Sequence, residues 1–532
     1  MSQQQVEASA ATPSTAEGSA EPAPRSPREI RLVMIGLVVA MLLAMLDNLI
    51  VGTAMPTIVG DLGGAEHLSW VVTAYTLATA ASTPIWGKLG DLYGRKGTFL
   101  TSIVIFLLGS ALSGLSQSMT QLIAFRAVQG LGAGGLMVGV MSIMGALVPP
   151  RDRGKYQGMF AAVMALATIG GPLVGGFITD HLSWHWTFYI NLPLGIVALA
   201  FIVVTLKLPK VRSNAKIDYI GAVLLTAGIT SLVLITTWGG QQYAWGSKQI
   251  LGLAALAVAS LIAFCYVEQR VEEPMLPLGL FRNLNFAMVS LIGFIVGFAM
   301  FGAVTFLPLY QQTVQGASAT NSGLLLMPMM FGMLVVSLVV GQVVTKTGKY
   351  RIFPIIGTAV MVGGSLLLST LSTDTSRFAS SCYMVVLGAG MGFLMQITML
   401  VAQNSVELKD MGVASSTATL FRTIGGSFGV ALFGALFNSR VTATMKDLLH
   451  GKAAAMGSGG KLTQMSPEAL RHQDPTVQDA YHHAVSNGMH TVFLWGALIS
   501  VVAVAASLFL REVPLRGAGK PSGEQSLEAA AV

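Results

Sequence analysis

The residues in this sequence best placed to do chemistry are charges that sit where charges are costly. Asp47 lies in Leu46-Asp47-Asn48-Leu49-Ile50-Val51-Gly52-Thr53-Ala54-Met55-Pro56, which closes an apolar run starting near Leu32. That run is long enough to cross a bilayer as a helix. Asp47 is the only one of the 24 acidic residues that falls deep inside such a run, and Asp218 and Glu268 fall at run edges. A carboxylate in hydrocarbon costs about 2.5–3.5 kcal/mol even on the lenient insertion scale, so it must pair or line a watery cavity. Arg126 is the candidate partner. It stands about six residues into its own run and Asp47 about nine residues before Pro56, so at about 1.5 Å rise per residue the two share a depth. Such a pair could relay protons, the carboxylate loading and releasing a proton as its access alternates. It could equally be a static ion pair that holds two spans together.

Three further groups of residues carry information. In Gly87-x-Leu89-Gly90-Asp91-x-x-Gly94-Arg95-Lys96, Asp91 and Arg95 are four apart and meet on one helical turn. Gly94 permits a tight turn and Gly87 a close helix approach, and Asp91 could cap the positive end of a neighbouring helix. Gly170, Gly171, Pro172, Gly175 and Gly176 leave one face of a later run without bulk, and Pro172 permits a bend. Arg422 lies about eleven residues into another run, near mid-membrane. It either contacts an anionic or hydrogen-bonding substrate or packs on backbone carbonyls. Gln129, one helical turn from Arg126, is a second candidate for a cavity wall.

These residues need membrane helices to position them. The chain has 532 residues, 53% hydrophobic and only 10% charged, against about 25% charged in soluble domains. Mean hydropathy is +0.68. Apolar stretches of spanning length fall near 31–55, 68–86, 98–117, 120–148, 155–179, 186–206, 217–238, 249–268, 285–310, 322–345, 352–371, 379–400, 411–437 and 490–510, fourteen in all. With the N-terminus inside, most of the 31 Lys and Arg residues fall on the inner side, as the positive-inside rule asks. Arg126 and Arg422 are the two left within spans. The net charge of +7 thus belongs to loops that face anionic lipid, not to a nucleic-acid surface. Cys265 and Cys382 both lie in apolar spans and suggest neither a disulfide nor a metal site. Residues 1–29 and 516–532 read as disordered cytoplasmic tails. The polar segment 438–489, with His450, His472, His482 and His483, reads as a solvated extracellular loop without metal-ligand spacing. No phosphate-binding loop is present: around Gly459-Gly460-Lys461, Ala455 takes the first glycine's place.

An internal repeat organises the spans. The Gly87–Arg95 loop recurs 254 residues later as Gly341-Gln342-Val343-Val344-Thr345-Lys346-Thr347-Gly348-Lys349, with Thr345 in place of Asp91. Thr168-Ile169-Gly170-Gly171 recurs as Thr423-Ile424-Gly425-Gly426, with Arg422 in place of Ala167. The expected fold is an all-α integral membrane bundle of two six-helix halves plus two inserted helices. The halves would cover 30–208 and 284–515, and the inserted pair with its linker 209–283. Parallel six-helix repeats place a transport site near the midplane between them.

The spaced motifs carry a resemblance. Gly87 to Lys96 resembles the signature loop between helices two and three of the major facilitator superfamily, and Leu122-x-x-x-Arg126-x-x-Gln129-Gly130-x-Gly132 its helix-four motif. Gly171-Pro172-x-x-Gly175-Gly176 is similar to the helix-five motif of its antiporters. Asp47 to Pro56, Trp184-His185-Trp186-Thr187-Phe188-Tyr189-Ile190-Asn191-Leu192-Pro193-Leu194-Gly195 and Arg422-x-x-Gly425-Gly426-Ser427-x-Gly429 resemble its fourteen-helix drug:proton antiporter branch. Leu49, Gly52 and His185 depart from that branch, which commonly has Thr, Asn and Arg there. The resemblance spans about 31 to 512 and implies the major facilitator fold and an exporter. It also implies that Asp47 and Arg126 serve proton coupling, and that Gly87, Asp91, Gly94, Arg95 and Lys96 form a gating loop.

The reading is therefore a proton-driven antiporter of hydrophobic or amphipathic drugs or antibiotics, not an enzyme. It would have no cofactor beyond the proton gradient, no nucleic-acid partner, and would act as a monomer in the plasma-membrane bilayer with both termini cytoplasmic. Two alternatives stand beside it: an exporter dedicated to one neutral or anionic metabolite, and a non-transporting sensor or scaffold, which would need neither two halves nor intramembrane charges.

Overall fold

The computed structural model describes residues 27–63, 68–206, 218–239, 242–271, 274–317, 326–407, 410–449 and 474–515. Residues 1–26 and 516–532 of the two tails, the centre of the 438–489 segment with His450 and His472, and the basic linker around 207–217 lie outside them, whereas residues 27–29, expected in the N-terminal tail, already belong to a helix. Among the described residues the chain forms fifteen α-helices. They are α1 Pro27–Leu62, α2 Leu68–Tyr93, α3 Arg95–Gly114, α4 Met119–Leu147, α5 Pro150–His181, the single turn α6 Trp186–Tyr189, α7 Asn191–Thr205, α8 Tyr219–Trp238, α9 Lys248–Glu268, α10 Leu284–Thr313, α11 Met327–Thr347, α12 Ile352–Ser369, α13 Arg377–Asn404, α14 Met411–Leu448 and α15 Pro475–Leu508. Apart from α6, which runs into α7, every one is long, and these fourteen follow the apolar runs of the sequence in order. Twelve helical segments are long and apolar enough to cross a membrane. The two remaining long helices, α2 and α5, carry charges at one end, and α2 holds Pro84 within it.

Helices dominate because a chain in hydrocarbon must satisfy its backbone hydrogen bonds within itself. The outward faces confirm the solvent. Leu108, Val204, Ile220, Leu251, Ile262 and Phe331 are all exposed, an apolar belt far larger than a soluble monomer shows. Helix ends are set locally: Ser118, Asp218, Ser247 and Ser376 cap α4, α8, α9 and α13 through side-chain oxygens. Gly348, in the left-handed region at φ +71°, ends α11.

Apolar packing divides into several cores. One is built from α1, α3, α4, α5 and α7, with Phe99, Phe106 and Phe160 at its centre. A second is built from α10 to α15, with Phe286, Tyr310 and Phe433. The two meet along two seams, α5 beside α11 and α2 beside α14. A smaller core joins the α8–α9 hairpin to both sides at once, through Ala80 of α2 and Val413 and Leu420 of α14.

The structure differs from the sequence expectation over 438–489. α14 runs on through Leu448 and α15 begins at Pro475, so only the middle of that segment lies between helices. Val441, Met445 and Leu449 pack in the same core as Val477, Tyr481, Ala484 and Val485. That helical spacing was hidden by polar residues on the opposite faces.

Glycines let helices cross closely. An added Cβ on Gly132 would lie 2.7 Å from both the Phe106 Cα and the Ser102 carbonyl oxygen, whereas one on Gly52 meets nothing within 4 Å. Gly132→Ala is therefore expected to destabilise by about 1–3 kcal/mol, and Gly52→Ala by less than about 0.5 kcal/mol. Thermal unfolding in detergent checks both, and equal melting points for the two variants would contradict the packing described.

Candidate functional site

Asp47 sits on α1 with 0% of its surface exposed. Arg126 Nη1 donates to its Oδ2 at 2.5 Å, while Gln129 Nε2 and Asn191 Nδ2 donate to its Oδ1 at 2.7 and 2.6 Å. Arg126 and Gln129 lie one turn apart on α4 and also bond each other, Nη1 to Oε1, at 2.8 Å. The guanidinium rests over the Tyr75 ring, 4.1 Å from its centroid. Such a cation–π contact contributes about 2 kcal/mol when desolvated. Asn191 reaches further, donating to Ser110 Oγ at 2.9 Å, and Ser110 in turn donates to the Phe188 carbonyl at 2.8 Å. One carboxylate thus gathers side chains from α1, α2, α3, α4 and α7. Among the described residues, Arg126 Nη2 and Asn191 Oδ1 are buried without partners, so the site keeps unused hydrogen-bonding capacity. A network in that condition can exchange partners.

Asn191, Tyr75 and Ser110 were not singled out as site residues. Asn191 had a signal, a lone amide opening an otherwise apolar run within the Trp184–Gly195 motif. Ser110 and Tyr75 had none, since hydroxyls are common in membrane helices. Gln129, expected beside Arg422 at a cavity wall, is instead fully enclosed. The reason is its register: three residues from Arg126, it points at the same carboxylate.

The rest of the Trp184–Gly195 motif braces this site. Trp184 Nε1 donates to Asp61 Oδ2 at 2.7 Å near the end of α1, and His185 stacks on Trp184 at 3.8 Å. On α5, an added Cβ at Gly171 would lie 2.5 Å from Leu49 Cβ, and one at Gly175 would strike Thr53 Oγ1 and lie 2.9 Å from the Ile50 carbonyl oxygen. The glycine face therefore closes on α1 just past Asp47. Gly176 meets nothing within 4 Å, and the side chain of Pro172 lies outside the described residues.

The signature loop forms a second polar centre. α2 ends at Tyr93, Gly94 turns the chain at φ +96°, and α3 begins at Arg95. A side chain at that φ would be strained. Arg95 Nη2 and Nε donate to Asp91 Oδ1 at 3.0 and 3.3 Å. The same carboxylate accepts the N–H groups of Gly412 and Val413, at 3.0 and 2.9 Å, in the first turn of α14. Asp91 thus caps the positive end of a helix on the other side of the seam. Gly87 allows the approach, since a Cβ there would lie 2.8 Å from the Gly412 carbonyl oxygen. Lys96 donates to the Val203 carbonyl at 2.9 Å. Nearby, Arg153 at the start of α5 donates to Gln403 Oε1 of α13 at 3.1 Å and to the Gly145 carbonyl. Gln403 returns a bond to the Met141 carbonyl at 3.2 Å. This face of the bundle is held shut across the seam.

Arg422 stands apart from both centres. Its backbone carbonyl presses on Gly297, where no Cβ would fit. Its guanidinium is half-buried and forms no hydrogen bond or ion pair among the described residues.

A multi-pass helical bundle with two cores meeting at a seam, a buried charge in one and a polar latch across the seam, has the architecture of a membrane transporter. The chain belongs to the Major Facilitator Superfamily, whose profile matches residues 37–430; this is a family of transporters rather than enzymes. It is 40% identical over 524 residues to the multidrug transporter protein MdtP of Bacillus subtilis, covering 94% of this chain and 96% of that one. It is 37% identical to multidrug resistance protein 3 of the same organism, over 90% of this chain and 95% of that one. Among solved structures it is similar to the human organic anion transporter MFSD10, with a TM-score of 0.57 at 14% identity over 90% of this chain and 100% of that one. The same TM-score and identity relate it to the proton:xylose symporter XylE, over 90% of this chain and 95% of that one. At such identity these two structures speak for the fold.

Asp91 lies beyond the apolar part of α2, and its burial pushes the carboxyl up to about 6 against the opposing pull of Arg95 and the two α14 amides. Opening this face would return it to water and to its ordinary value near 3.8. The closed arrangement thus holds the proton more tightly. Its contribution to closure is full below about pH 4 and is lost as pH rises through about 6. Spin labels on α2 and α14 should report a closed population that falls over that window, with a shallower slope in Asp91→Asn. An unchanged slope in that variant would count against the assignment.

Proposed function

We propose that this protein is a proton-driven antiporter that exports hydrophobic or amphipathic drug-like molecules, antibiotics among them, from the cytoplasm. In this reading it resides in the plasma membrane with both termini cytoplasmic and the signature-loop face inward. The observation that carries it is Asp47: a carboxylate with no exposed surface, held by Arg126, Gln129 and Asn191. A structural ion pair would need only Arg126. The two added amides and the unused atoms Arg126 Nη2 and Asn191 Oδ1 suit a site that is rebuilt when a proton arrives. Protonation removes the charge that fixes Arg126 and turns Asp47 into a donor, and Asn191 Oδ1 and Gln129 Oε1 are acceptors within the same cluster. The binding partners change without charge leaving the membrane, and α1, α4 and α7 can shift relative to one another. No cofactor is needed, because the gradient supplies the driving force. The multidrug names of the two Bacillus relatives support the substrate class.

The half-buried, unbonded guanidinium of Arg422 favours a second reading, an exporter dedicated to an anionic or hydrogen-bonding metabolite. A charged hydrogen bond to substrate is worth about 1.5–3 kcal/mol, or roughly ten- to a hundredfold in affinity. Arg422→Ala should then weaken export of an anionic compound by that factor and leave a neutral dye unaffected.

The central test is Asp47→Asn in proteoliposomes. It is expected to abolish dye efflux driven by an imposed pH gradient while equilibrium dye binding persists. Intact gradient-driven efflux in this variant would falsify proton coupling through Asp47.

A further inference from the structure

Away from Asp47 and Asp91, two more acids are buried at the ends of membrane helices among the described residues, and they lie near each other. Asp218 caps α8 and Glu268 is the last residue of α9, so both stand at the same end of the inserted hairpin. They are 7% and 4% exposed. An added Cβ on Gly221 would strike Asp218 Oδ2 and lie 3.1 Å from Glu268 Oε1, so the two carboxylate oxygens flank one glycine. Their bonding is unequal. Glu268 accepts the Met275 N–H on Oε1 at 3.0 Å and the Leu276 N–H on Oε2 at 3.4 Å. Asp218 Oδ1 accepts the Gly221 N–H at 2.8 Å. Asp218 Oδ2 is buried with no hydrogen-bond partner among the described residues. Besides Asp218, the charged group that acts on Glu268 among the described residues is Lys88 on α2, itself buried.

We propose that Asp218 and Glu268 form a second proton-binding site, in which the two carboxyl groups share one proton between them. Two adjacent buried carboxylates are costly to ionise together, and an acceptor oxygen left bare in the interior is costly by itself. One proton held by the pair relieves both costs, because it removes one negative charge and adds a donor among the acceptor oxygens. Gly221 has no side chain because the two carboxyl groups occupy that space.

The site bears on the seam. The linker residues clamped by Glu268, Met275 and Leu276, are buried in the small core that also holds Ala80 of α2 and Val413 of α14. Val413 is also the residue whose N–H Asp91 accepts. Loss of the proton places a second negative charge beside Glu268 and loosens its hold on the linker. The inserted hairpin therefore senses protons at the latch, separately from Asp47.

Infrared difference spectra of the purified full-length protein, titrated with base, test the site directly. One carboxylic-acid C=O absorption is expected to vanish on titration in the wild type, to remain in Asp47→Asn and Asp91→Asn, and to be missing in Asp218→Asn. Hydrogen exchange at fixed pH tests the coupling. Glu268→Gln should speed exchange over 274–276 and 412–413 roughly tenfold, whereas Asp218→Asn, whose amide can donate as the proton does, should leave it unchanged. An absorption that survives in Asp218→Asn overturns the site. Equal exchange in Glu268→Gln and wild type overturns its link to the seam.

Discussion

A carboxylate with no exposed surface has to be neutralised by its neighbours, and much of one half of this protein is arranged around doing so for Asp47. Breaking a buried charge pair by removing one member costs about 3–5 kcal/mol, so the position of Arg126 is not negotiable once Asp47 is in place. Arg126 in turn fixes the face of α4, because Gln129 one turn on must reach the same carboxylate. The glycines of α4 follow from that rotation: with the polar face toward α1, Gly130 meets the Tyr75 backbone and Gly132 the Phe106 backbone. The start of α7 is set by Asn191, and the single turn α6 before it by Phe188, whose carbonyl takes the Ser110 proton. Polar satisfaction at one point thus dictates helix rotation over most of a half.

The seam follows a different rule. Where the halves meet on the signature-loop face, side chains bond mostly to backbone: Asp91 accepts from the Gly412 and Val413 amides and Gln403 donates to the Met141 carbonyl, while Arg153 donates to Gln403 itself. Groups at helix ends have no intrahelical partner, so they can be bonded when the face is shut and solvated when it is open. The helix interiors need not change. A latch on helix termini costs less to undo than one made of enclosed ion pairs, which suits a surface that must separate in every cycle. The Asp47 site, enclosed and charged, is the opposite kind of structure.

Much of this was legible in the sequence. Hydropathy located all fourteen long helices, because a bilayer admits few other solutions. The cost of a buried charge singled out Asp47, and equal depth singled out Arg126. The Asp91–Arg95 pair followed from spacing, and the capping of a neighbouring helix from chemistry, although nothing local identified that helix as α14. Contacts such as Arg153 with Gln403 join residues 250 apart, and no periodicity encodes such a pairing. Gln129 was placed at a cavity wall, whereas its three-residue spacing from Arg126 turns it to the same carboxylate, Asp47. The helical parts of 438–489 were missed because a composition window averages both faces of an amphipathic helix.

The repeat is most informative where it fails. Asp91 corresponds to Thr345, whose hydroxyl donates to the Gly341 carbonyl of its own helix at 2.8 Å, and Ala167 corresponds to Arg422. The first half therefore carries the buried acid and the acidic latch, and the second carries a half-buried cation and presents the α14 amides that the latch grips. Identical halves could not do this, because an acid needs a donor opposite it and not another acid. The inserted hairpin adds to the asymmetry, since its foot rests on α2 and α14 together and brings two more carboxylates to the acidic side of the seam. Divergence between the repeats has thus placed an acid on one side of the opening surface and the backbone amides that hold it on the other. Proton chemistry on one side can then alter how strongly the two sides hold each other.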